Sequence, residues 1–189
     1  PVVLSEKRLQ EKKARAIIIN SGNANACTGS QGEANAIRIT SEVQKALEAK
    51  GFGSIPESEV LVASTGVIGQ QLPIERMLEK IPALVEGLSL DGNLLARKAI
   101  MTTDLVHKEA ALSVEIGGKE VRLGTMAKGS GMIHINMGTM LGFITTDCNI
   151  LPELLDEALR ESVLDTYNCV SVDGDTSTND SLFILANGM

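Results

Sequence analysis

The segment of residues 128–147 carries residue types that could act on a carbonyl group. Its sequence, KGSGMIHINMGTMLGFITTD, places the small residue Gly138 before Thr139 at the start of an apolar run. A threonine hydroxyl can attack the carbonyl carbon of the preceding residue, which converts the peptide into an ester that water cleaves. The new N-terminal Thr139 would carry an α-amine with a pKa of about 7.7–8.0, which can accept a proton near neutral pH. Taken alone, the Gly-Thr dipeptide is better explained as a strand that begins after a turn.

The other motifs that could do chemistry are incomplete. Neither GxxxxGK[ST] nor GxGxxG stands between a predicted strand and a helix, so the glycine-rich stretches do not predict a nucleotide site. His107 and His134 lack a third ligand at useful spacing, and we expect them on the surface or in loops. DGDTSTND (173–180) resembles half of a calcium loop without its bidentate Glu. We predict there a turn in which Asp and Asn side chains accept backbone hydrogen bonds, and no metal site.

Composition restricts the class of protein. The 189 residues are 43% hydrophobic and 22% charged, which is enough apolar surface for a folded core. Aromatic residues make up only 2% and the net charge is -7, which argues against nucleic-acid binding. Three cysteines at wide spacing, without CxxC, predict a reducing cytoplasmic location. No apolar run approaches the roughly 18 residues of a membrane helix.

The elements that must position these residues alternate between strands and helices. Short apolar runs rich in β-branched residues predict the strands 14–20, 59–64, 139–146, 169–175 and 181–186. The charged residues 5–14 are predicted to be helical, and apolar positions at helical spacing predict the helices 33–50 and 151–165. Another helix is expected after Pro73, which Pro82 breaks or kinks, and residues 93–104 read as a short helix that runs into a loop. Residues 21–32 and 124–132 read as loops.

One β-hairpin can be located from local sequence. Two alternating runs within 111–123 flank Gly117 and Gly118, the residues that a two-residue hairpin turn favours. The whole order predicts a layered, mixed α/β domain, in which the hairpin excludes a purely parallel sheet. The chain begins at Pro1 without Met and ends just after an apolar run, so we expect it to be a fragment of a longer protein.

Five long segments resemble the glutamate N-acetyltransferase/ornithine acetyltransferase family of arginine biosynthesis. They are NSGNANACTG (20–29), VLVASTGVIGQ (60–70), AIMTTD (99–104), KGSGMIHINMGTML (128–141) and VSVDGDTSTND (170–180), in the family's order. The resemblance implies an αββα sandwich of the kind grouped with the self-processing aminopeptidase DmpA. It also implies a precursor, roughly twice as long, that cleaves itself before a threonine into an α and a β chain.

The same resemblance implies the activity. Family members move an acetyl group from N2-acetylornithine to L-glutamate through an acetyl-threonine, and some also acetylate glutamate from acetyl-CoA. No cofactor or metal is implied, and the cleaved chains are expected to form an α2β2 heterotetramer without nucleic acid or membrane partners. Two alternatives stay open. One is a DmpA-like aminopeptidase or amidase, in which water accepts the acyl group, and the other is an unprocessed, non-catalytic homologue.

The catalytic roles of the family can be carried to matching positions. Thr139 matches the nucleophile, and cleavage would fall between Gly138 and Thr139. Thr65 and Gly66 match the Thr-Gly pair that forms the oxyanion hole. The family commonly reads HPNMATML, whereas this chain has Ile135 in place of Pro and Gly138 in place of Ala. Both changes loosen the backbone at the cleavage site, so slower self-cleavage is expected.

The substrate-binding roles are carried over in the same way. Lys128 matches the lysine of the KGSGM motif, and Thr102 matches a threonine of the MTTD motif, with the adjacent Thr103 as an alternative. The resemblance predicts that residues 1–138 belong to the α chain and residues 139–189 to the start of the β chain. The remaining substrate residues of the family would lie beyond the end of this sequence.

Overall fold

The computed structural model of the chain describes residues 1–134 and 140–189. The predicted cleavage site, Gly138 and Thr139, therefore lies outside the described residues, as does Ile135. The described residues form two compact units, residues 1–102 and residues 103–189. Nowhere in these described parts is there a helix with both the length and the apolar character that a membrane span requires.

The first unit contains a two-stranded parallel sheet and four helices. In chain order its elements are α1 (Val2–Arg8), β1 (Ala16–Asn23), α2 (Gly29–Ala49), β2 (Val60–Val67), α3 (Ile74–Glu86) and α4 (Asn93–Ala99), with short 3-10 helices at Leu9–Glu11 and Glu57–Glu59. β1 and β2 pair in parallel from Ala16 opposite Val60 to Asn23 opposite Val67. Parallel strands need a crossover connection, which α2 provides.

The core of the first unit lies where α2 and α3 meet β2. The predicted apolar face of α2, formed by Ala36, Ile39, Val43 and Leu47, is buried as expected. Pro82 does not break α3, which continues from Ile74 to Glu86. Its buried residues, Ile81 and Val85, pack into the same core as the α2 face. The burial of this face offsets the one backbone hydrogen bond that a proline cannot make.

The second unit contains a four-stranded mixed sheet and one helix. In chain order its elements are β3 (Lys108–Ile116), β4 (Lys119–Lys128), β5 (Leu141–Thr146), α5 (Pro152–Leu164) and β6 (Ser181–Ala186), with a 3-10 helix at Tyr167–Cys169. The strand order is β3-β4-β5-β6; the first two pairs are antiparallel, and β5 and β6 are parallel. The predicted hairpin is confirmed, with φ of 60° at Gly117 and 78° at Gly118. The predicted mixed α/β class is confirmed as well.

Two predictions about the second unit are wrong. The sequence predicts a loop over residues 124–132, but β4 continues to Lys128 because β5 pairs with its second half, residues 123–128. The sequence also predicts a strand over residues 169–175, but no strand lies between the 3-10 helix and β6 in this fully described stretch. This stretch is instead a loop, in which the Asp173 carboxylate accepts hydrogen bonds from the Met132 and Ile133 N–H groups. In the first unit, β1 extends into the predicted loop 21–32, and α2 begins at Gly29.

Candidate active site

The two glycine-containing motifs of the first unit lie side by side at the carboxyl ends of β1 and β2. The parallel register sets Ser21 opposite Thr65 and Gly22 opposite Gly66. Thr65 is only 1% exposed within the chain. The predicted oxyanion pair therefore belongs to a firmly paired strand end rather than to a free turn.

Gly66 must be glycine for two independent reasons. Its φ is +130°, a backbone conformation that residues with a side chain rarely adopt. A Cβ at this position would also lie 2.3 Å from the carbonyl carbon of Gly22 and 2.5 Å from its oxygen. The close approach fixes the peptide groups at this strand end, as a preorganised hydrogen-bond donor to a developing oxyanion would require.

The polar side chains of the NSGNANACTG segment hold that segment in shape. The Asn20 amide donates to the Asn23 carbonyl oxygen at 2.7 Å, and the Asn25 amide donates to the Gly32 carbonyl oxygen at 2.8 Å. The Ser21 hydroxyl donates to the carbonyl oxygen of Ile100 at 2.6 Å. This last bond ties the end of β1 to the AIMTTD segment within the same unit.

The two threonines of the AIMTTD segment differ in their surroundings. Thr102, the predicted substrate-binding residue, is exposed and is the last residue of the first unit. Thr103 is the first residue of the second unit, and its Oγ1 lies 2.7 Å from Oγ of Ser130 in the KGSGM segment. Thr103, the predicted alternative to Thr102, therefore contacts the KGSGM segment.

Lys128, the predicted substrate-binding lysine, is buried at the end of β4 next to a buried carboxylate. Its side chain is 4% exposed, and its Nζ lies 3.9 Å from Oδ2 of Asp104, whose side chain is fully buried. Oδ1 of Asp104 accepts hydrogen bonds from the Gly129 N–H at 2.8 Å and from Nζ of Lys108 at 2.7 Å. Asp104 thus joins the MTTD and KGSGM segments.

The charge on Lys128 depends on Asp104. Burial lowers the pKa of the Lys128 ammonium below its ordinary value. The Asp104 carboxylate opposes this lowering because it favours the charged form, whereas the nearby Lys108 ammonium adds to it. An ammonium that is largely removed from water can bind a carboxylate strongly, provided that it stays protonated.

A cavity of about 510 Å³ lies beside Lys128 in the second unit. Its walls include Lys108, Lys128, Ile133, Met140, Tyr167 and Val172. The volume falls in the range of small-molecule sites, and the surface of the cavity is almost entirely apolar. Such walls suit the aliphatic part of a small molecule.

The strand register connects Lys128 with the segment of the predicted nucleophile. Lys128 lies opposite Leu141 in the β4–β5 pair, and Leu141 is two residues after Thr139 in the sequence. Met140, which follows Thr139 directly, is 8% exposed and contributes to the cavity wall. The described residues thus bring the predicted substrate lysine close to the chain that leaves Thr139.

Asp180 contacts the same stretch of chain. Its Oδ1 accepts a hydrogen bond from the Met140 N–H at 2.5 Å, and the next residue, Ser181, donates its N–H to the Met140 carbonyl oxygen at 3.1 Å. Burial raises the pKa of the Asp180 carboxyl to about 6, although the hydrogen bond from Met140 acts in the opposite direction.

Three site residues were not identified from the sequence. They are Asp104, Asp173 and Asp180, each of which accepts a hydrogen bond from a backbone N–H of the 129–140 region. All three lie in segments that carry the family resemblance, and this resemblance is the sequence signal that could have identified them. The turn predicted for DGDTSTND is confirmed, since the Asp173 carboxylate also accepts from the Asp175 N–H at 3.4 Å.

The histidines stand apart from this arrangement. His107 is exposed, and Nδ1 of His134 lies 3.3 Å from Oγ of Ser171 in the loop region, so the predicted surface or loop positions are confirmed. Within residues 1–134 and 140–189, no group of three or more His, Cys, Asp or Glu side chains could hold a metal ion.

Comparison with known proteins gives one family. The ArgJ family model matches residues 1–189. The arginine biosynthesis bifunctional protein ArgJ of Symbiobacterium thermophilum is 51% identical over 189 residues, which is 100% of this chain and 46% of that protein. The protein of the same name from Caldanaerobacter subterraneus is 47% identical over 189 residues, again 100% of this chain and 45% of that protein. The chain spans about half the length of these curated relatives.

Two solved structures resemble the chain. Arginine biosynthesis bifunctional protein ArgJ from Bacillus halodurans aligns with a TM-score of 0.62 and 37% identity, over 72% of this chain and 69% of that one. Ornithine acetyltransferase from Mycobacterium tuberculosis, solved in complex with ornithine, aligns with a TM-score of 0.61 and 36% identity, over 70% of this chain and 68% of that one. These similarities confirm the predicted fold of the ornithine acetyltransferase type.

Proposed function

Because the chain belongs to the ArgJ family, we propose that it carries the nucleophile and part of the substrate site of an acetyltransferase of arginine biosynthesis. The proposed reaction moves an acetyl group from N2-acetylornithine to L-glutamate and gives ornithine and N-acetylglutamate. The observation that carries this proposal is the pairing of Lys128 with Leu141, beside a cavity of about 510 Å³. It sets a buried ammonium next to the strand that follows Thr139.

Self-cleavage creates the nucleophile. Oγ of Thr139 attacks the carbonyl carbon of Gly138, and the peptide C–N bond breaks as the acyl group moves from nitrogen to oxygen. Water then hydrolyses the ester, which leaves a carboxylate on Gly138 and a free α-amine on Thr139. In this proposal residues 1–138 end the α chain, residues 139–189 begin the β chain, and the two chains assemble as α2β2.

Acetyl transfer then proceeds in two half-reactions. The Thr139 α-amine takes the proton of its own hydroxyl, and Oγ attacks the acetyl carbonyl of N2-acetylornithine. The oxyanion is assigned, by the family's pattern, to Thr65 Oγ and the Gly66 N–H. Ornithine leaves with the proton on its α-amine, and the amine of glutamate attacks the acetyl-threonine to complete the turnover.

Lys128 binds the α-carboxylate that the acetyl donor and the acceptor share. Its buried ammonium and the apolar cavity walls support this role, because a carboxylate pairs best with a charge that water does not screen. We assign a further substrate contact to Thr102, with Thr103 as the alternative since it neighbours Ser130. Acetyl-CoA is proposed as an additional acetyl donor, and a cytoplasmic location agrees with the three free cysteines.

The test of the function is a product assay with the natural full-length protein. Incubation with N2-acetylornithine and glutamate should yield equal amounts of ornithine and N-acetylglutamate. Double-reciprocal plots of the initial velocity should give parallel lines, which indicate a ping-pong mechanism. Intact mass under denaturing conditions should reveal two pieces, one of which begins at Thr139. Release of acetate without glutamate would instead support the amidase alternative, and an uncut, inactive chain would support the non-catalytic one.

Replacing Thr65 by Ala should lower kcat by about 10²–10³, since one oxyanion donor is typically worth about 2.7–4 kcal/mol. Thr65→Ser keeps the hydroxyl and should retain most of the activity. Thr40→Ala is a matched control because Thr40 is also a buried threonine of the first unit, bonded to helix carbonyl oxygens. Steady-state kinetics check this, and an unchanged kcat in Thr65→Ala would remove Thr65 from the oxyanion role.

Substrate binding should weaken at high pH, and replacing Asp104 by Asn should lower the pH at which this weakening occurs. Binding of the substrate carboxylate needs protonated Lys128, so KM rises as the pH increases through the lowered pKa of Lys128. Without the Asp104 carboxylate, burial and Lys108 lower that pKa further. KM measured between about pH 7 and 10 checks this, with the exposed Asp175→Asn as control. Identical KM profiles in Asp104→Asn and the unmodified enzyme would contradict the role of Asp104.

A further inference from the structure

The chain that enters the cleavage region is held by one carboxylate. Oδ2 of Asp173 accepts a hydrogen bond from the Met132 N–H at 2.6 Å, and its Oδ1 accepts from the Ile133 N–H at 3.0 Å. The neighbouring Val172 donates its N–H to the Ile133 carbonyl oxygen at 2.9 Å. The backbones of Met132 and Ile133 are therefore fixed, and Ile133 lies six residues before Thr139.

The chain that leaves the cleavage region is held by a second carboxylate from the same loop. Asp180 accepts from the Met140 N–H at 2.5 Å, and Ser181 donates its N–H to the Met140 carbonyl oxygen at 3.1 Å. Both polar groups of the Met140 backbone are thus bonded, and the following residue Leu141 begins its parallel pairing with β6 opposite Ser181. This anchor lies on the residue directly after Thr139.

We propose that the loop of residues 173–180 is a clamp on both sides of the cleavage site, and that Asp180 is a positioning residue for Thr139. The proposal rests on the proposed function, because it takes Thr139 as the nucleophile. The Met140 N–H belongs to the peptide group whose carbonyl carbon is that of Thr139. Fixing this peptide group restricts the position of the Thr139 Cα, and with it the reach of the hydroxyl.

The two anchors have different consequences after cleavage. After cleavage Met140 is still covalently linked to the new N-terminal Thr139, and its N–H still donates to Asp180. This hydrogen bond therefore orients the nucleophile in acetyl transfer as well. The bonds from Asp173 hold the chain that ends at Gly138, so they act mainly while the peptide bond is intact. Asp180 therefore serves both reactions, whereas Asp173 serves mainly the first.

The experiment follows cleavage and turnover separately in the natural full-length protein. The protein is made by cell-free synthesis, and the fraction cut before Thr139 is followed over time by mass under denaturing conditions. Fully processed enzyme is then assayed with N2-acetylornithine and glutamate. Asp180→Ala should slow cleavage at least about tenfold and lower kcat by a similar factor with little change in KM. Asp173→Ala should slow cleavage more than it lowers kcat.

Two conservative variants separate positioning from general stability. Asp180→Asn keeps an oxygen that can accept the Met140 N–H and should restore most of both rates. Asp175→Asn removes a charge from an exposed position of the same loop and should match the unmodified protein. If Asp180→Ala does not fold, Asp180→Glu decides, because it keeps the charge but displaces the acceptor and should still be slow.

Each outcome bears on a different claim. Unmodified rates in Asp180→Ala, or in a folded Asp180→Glu, would overturn the clamp while cleavage and transfer by the unmodified protein still supported the proposed function. Equal loss in Asp180→Asn and Asp180→Ala would overturn the role of the hydrogen-bond acceptor. An unmodified protein that is neither cut before Thr139 nor active would instead contradict the proposed function itself.

Discussion

Replacing Thr139 by Ala should abolish both self-cleavage and acetyl transfer in the natural full-length protein. Alanine has no hydroxyl to attack the Gly138 carbonyl, and it leaves no atom that could carry the acetyl group. Intact mass under denaturing conditions should then give one uncut chain, and the product assay should give no N-acetylglutamate above the uncatalysed background. This is the largest effect that we expect from any single substitution.

The controls for this substitution concern the hydroxyl and the strand. Thr139→Ser keeps a hydroxyl and should retain both reactions at reduced rates. Thr145→Ala removes an exposed threonine of β5 whose one long hydrogen bond, 3.4 Å to the Gly124 carbonyl oxygen, contributes little, and it should leave both reactions intact. Cleavage between residues 138 and 139 in Thr139→Ala would eliminate the autocatalytic account.

Replacing Lys128 by Met should raise KM for both N2-acetylornithine and glutamate by about 10² or more. Methionine fills nearly the same buried space but has no charge for the shared α-carboxylate. The Asp104 carboxylate keeps its bonds to Gly129 and Lys108, so folding should be affected less than substrate binding. Steady-state kinetics with each substrate varied in turn give the two KM values.

The matched control is Lys119→Met, which removes an exposed lysine next to the hairpin turn. It should leave both KM values unchanged. If Lys128→Met lowered kcat strongly while both KM values stayed the same, Lys128 would act on the transition state and not as the carboxylate-binding residue. Unchanged kcat and KM would remove it from the site.

The parts of the fold that local sequence determines could be predicted. Gly117 and Gly118 form the hairpin turn because a two-residue turn needs positive φ, and a Gly-Gly pair between alternating runs satisfies that need. The buried face of α2 follows from apolar residues at helical spacing. In both cases the interacting residues are close in sequence, so their pattern is visible before folding.

The contacts between distant residues could not be predicted. Asp104 lies 25 residues from Gly129, whose N–H it accepts, Asp173 lies 41 from Met132, and Asp180 lies 40 from Met140. A carboxylate that accepts a backbone N–H requires nothing of the side chain of its partner. The sequence around Met132 or Met140 therefore does not indicate which carboxylate accepts the hydrogen bond from its backbone N–H.

The same reasoning explains why the strand predicted over residues 169–175 does not form. Alternating Val170 and Val172 satisfy the pattern of a strand, and both line the cavity of the second unit. The following Asp173 bonds the backbone of residues 132 and 133, which holds this stretch in a loop conformation. Local β-propensity is weaker than a specific set of tertiary hydrogen bonds.

The central claim is that Thr139 carries the acetyl group, and a trapping experiment tests it most directly. The processed full-length enzyme is incubated with N2-acetylornithine in the absence of glutamate, quenched in acid, digested and analysed by mass spectrometry. The account predicts a gain of about 42 Da, the mass of an acetyl group replacing a hydrogen, on the peptide that begins at Thr139. Addition of glutamate before the quench should remove it. An acetyl group found only on other peptides, or on none while turnover proceeds, would contradict the account.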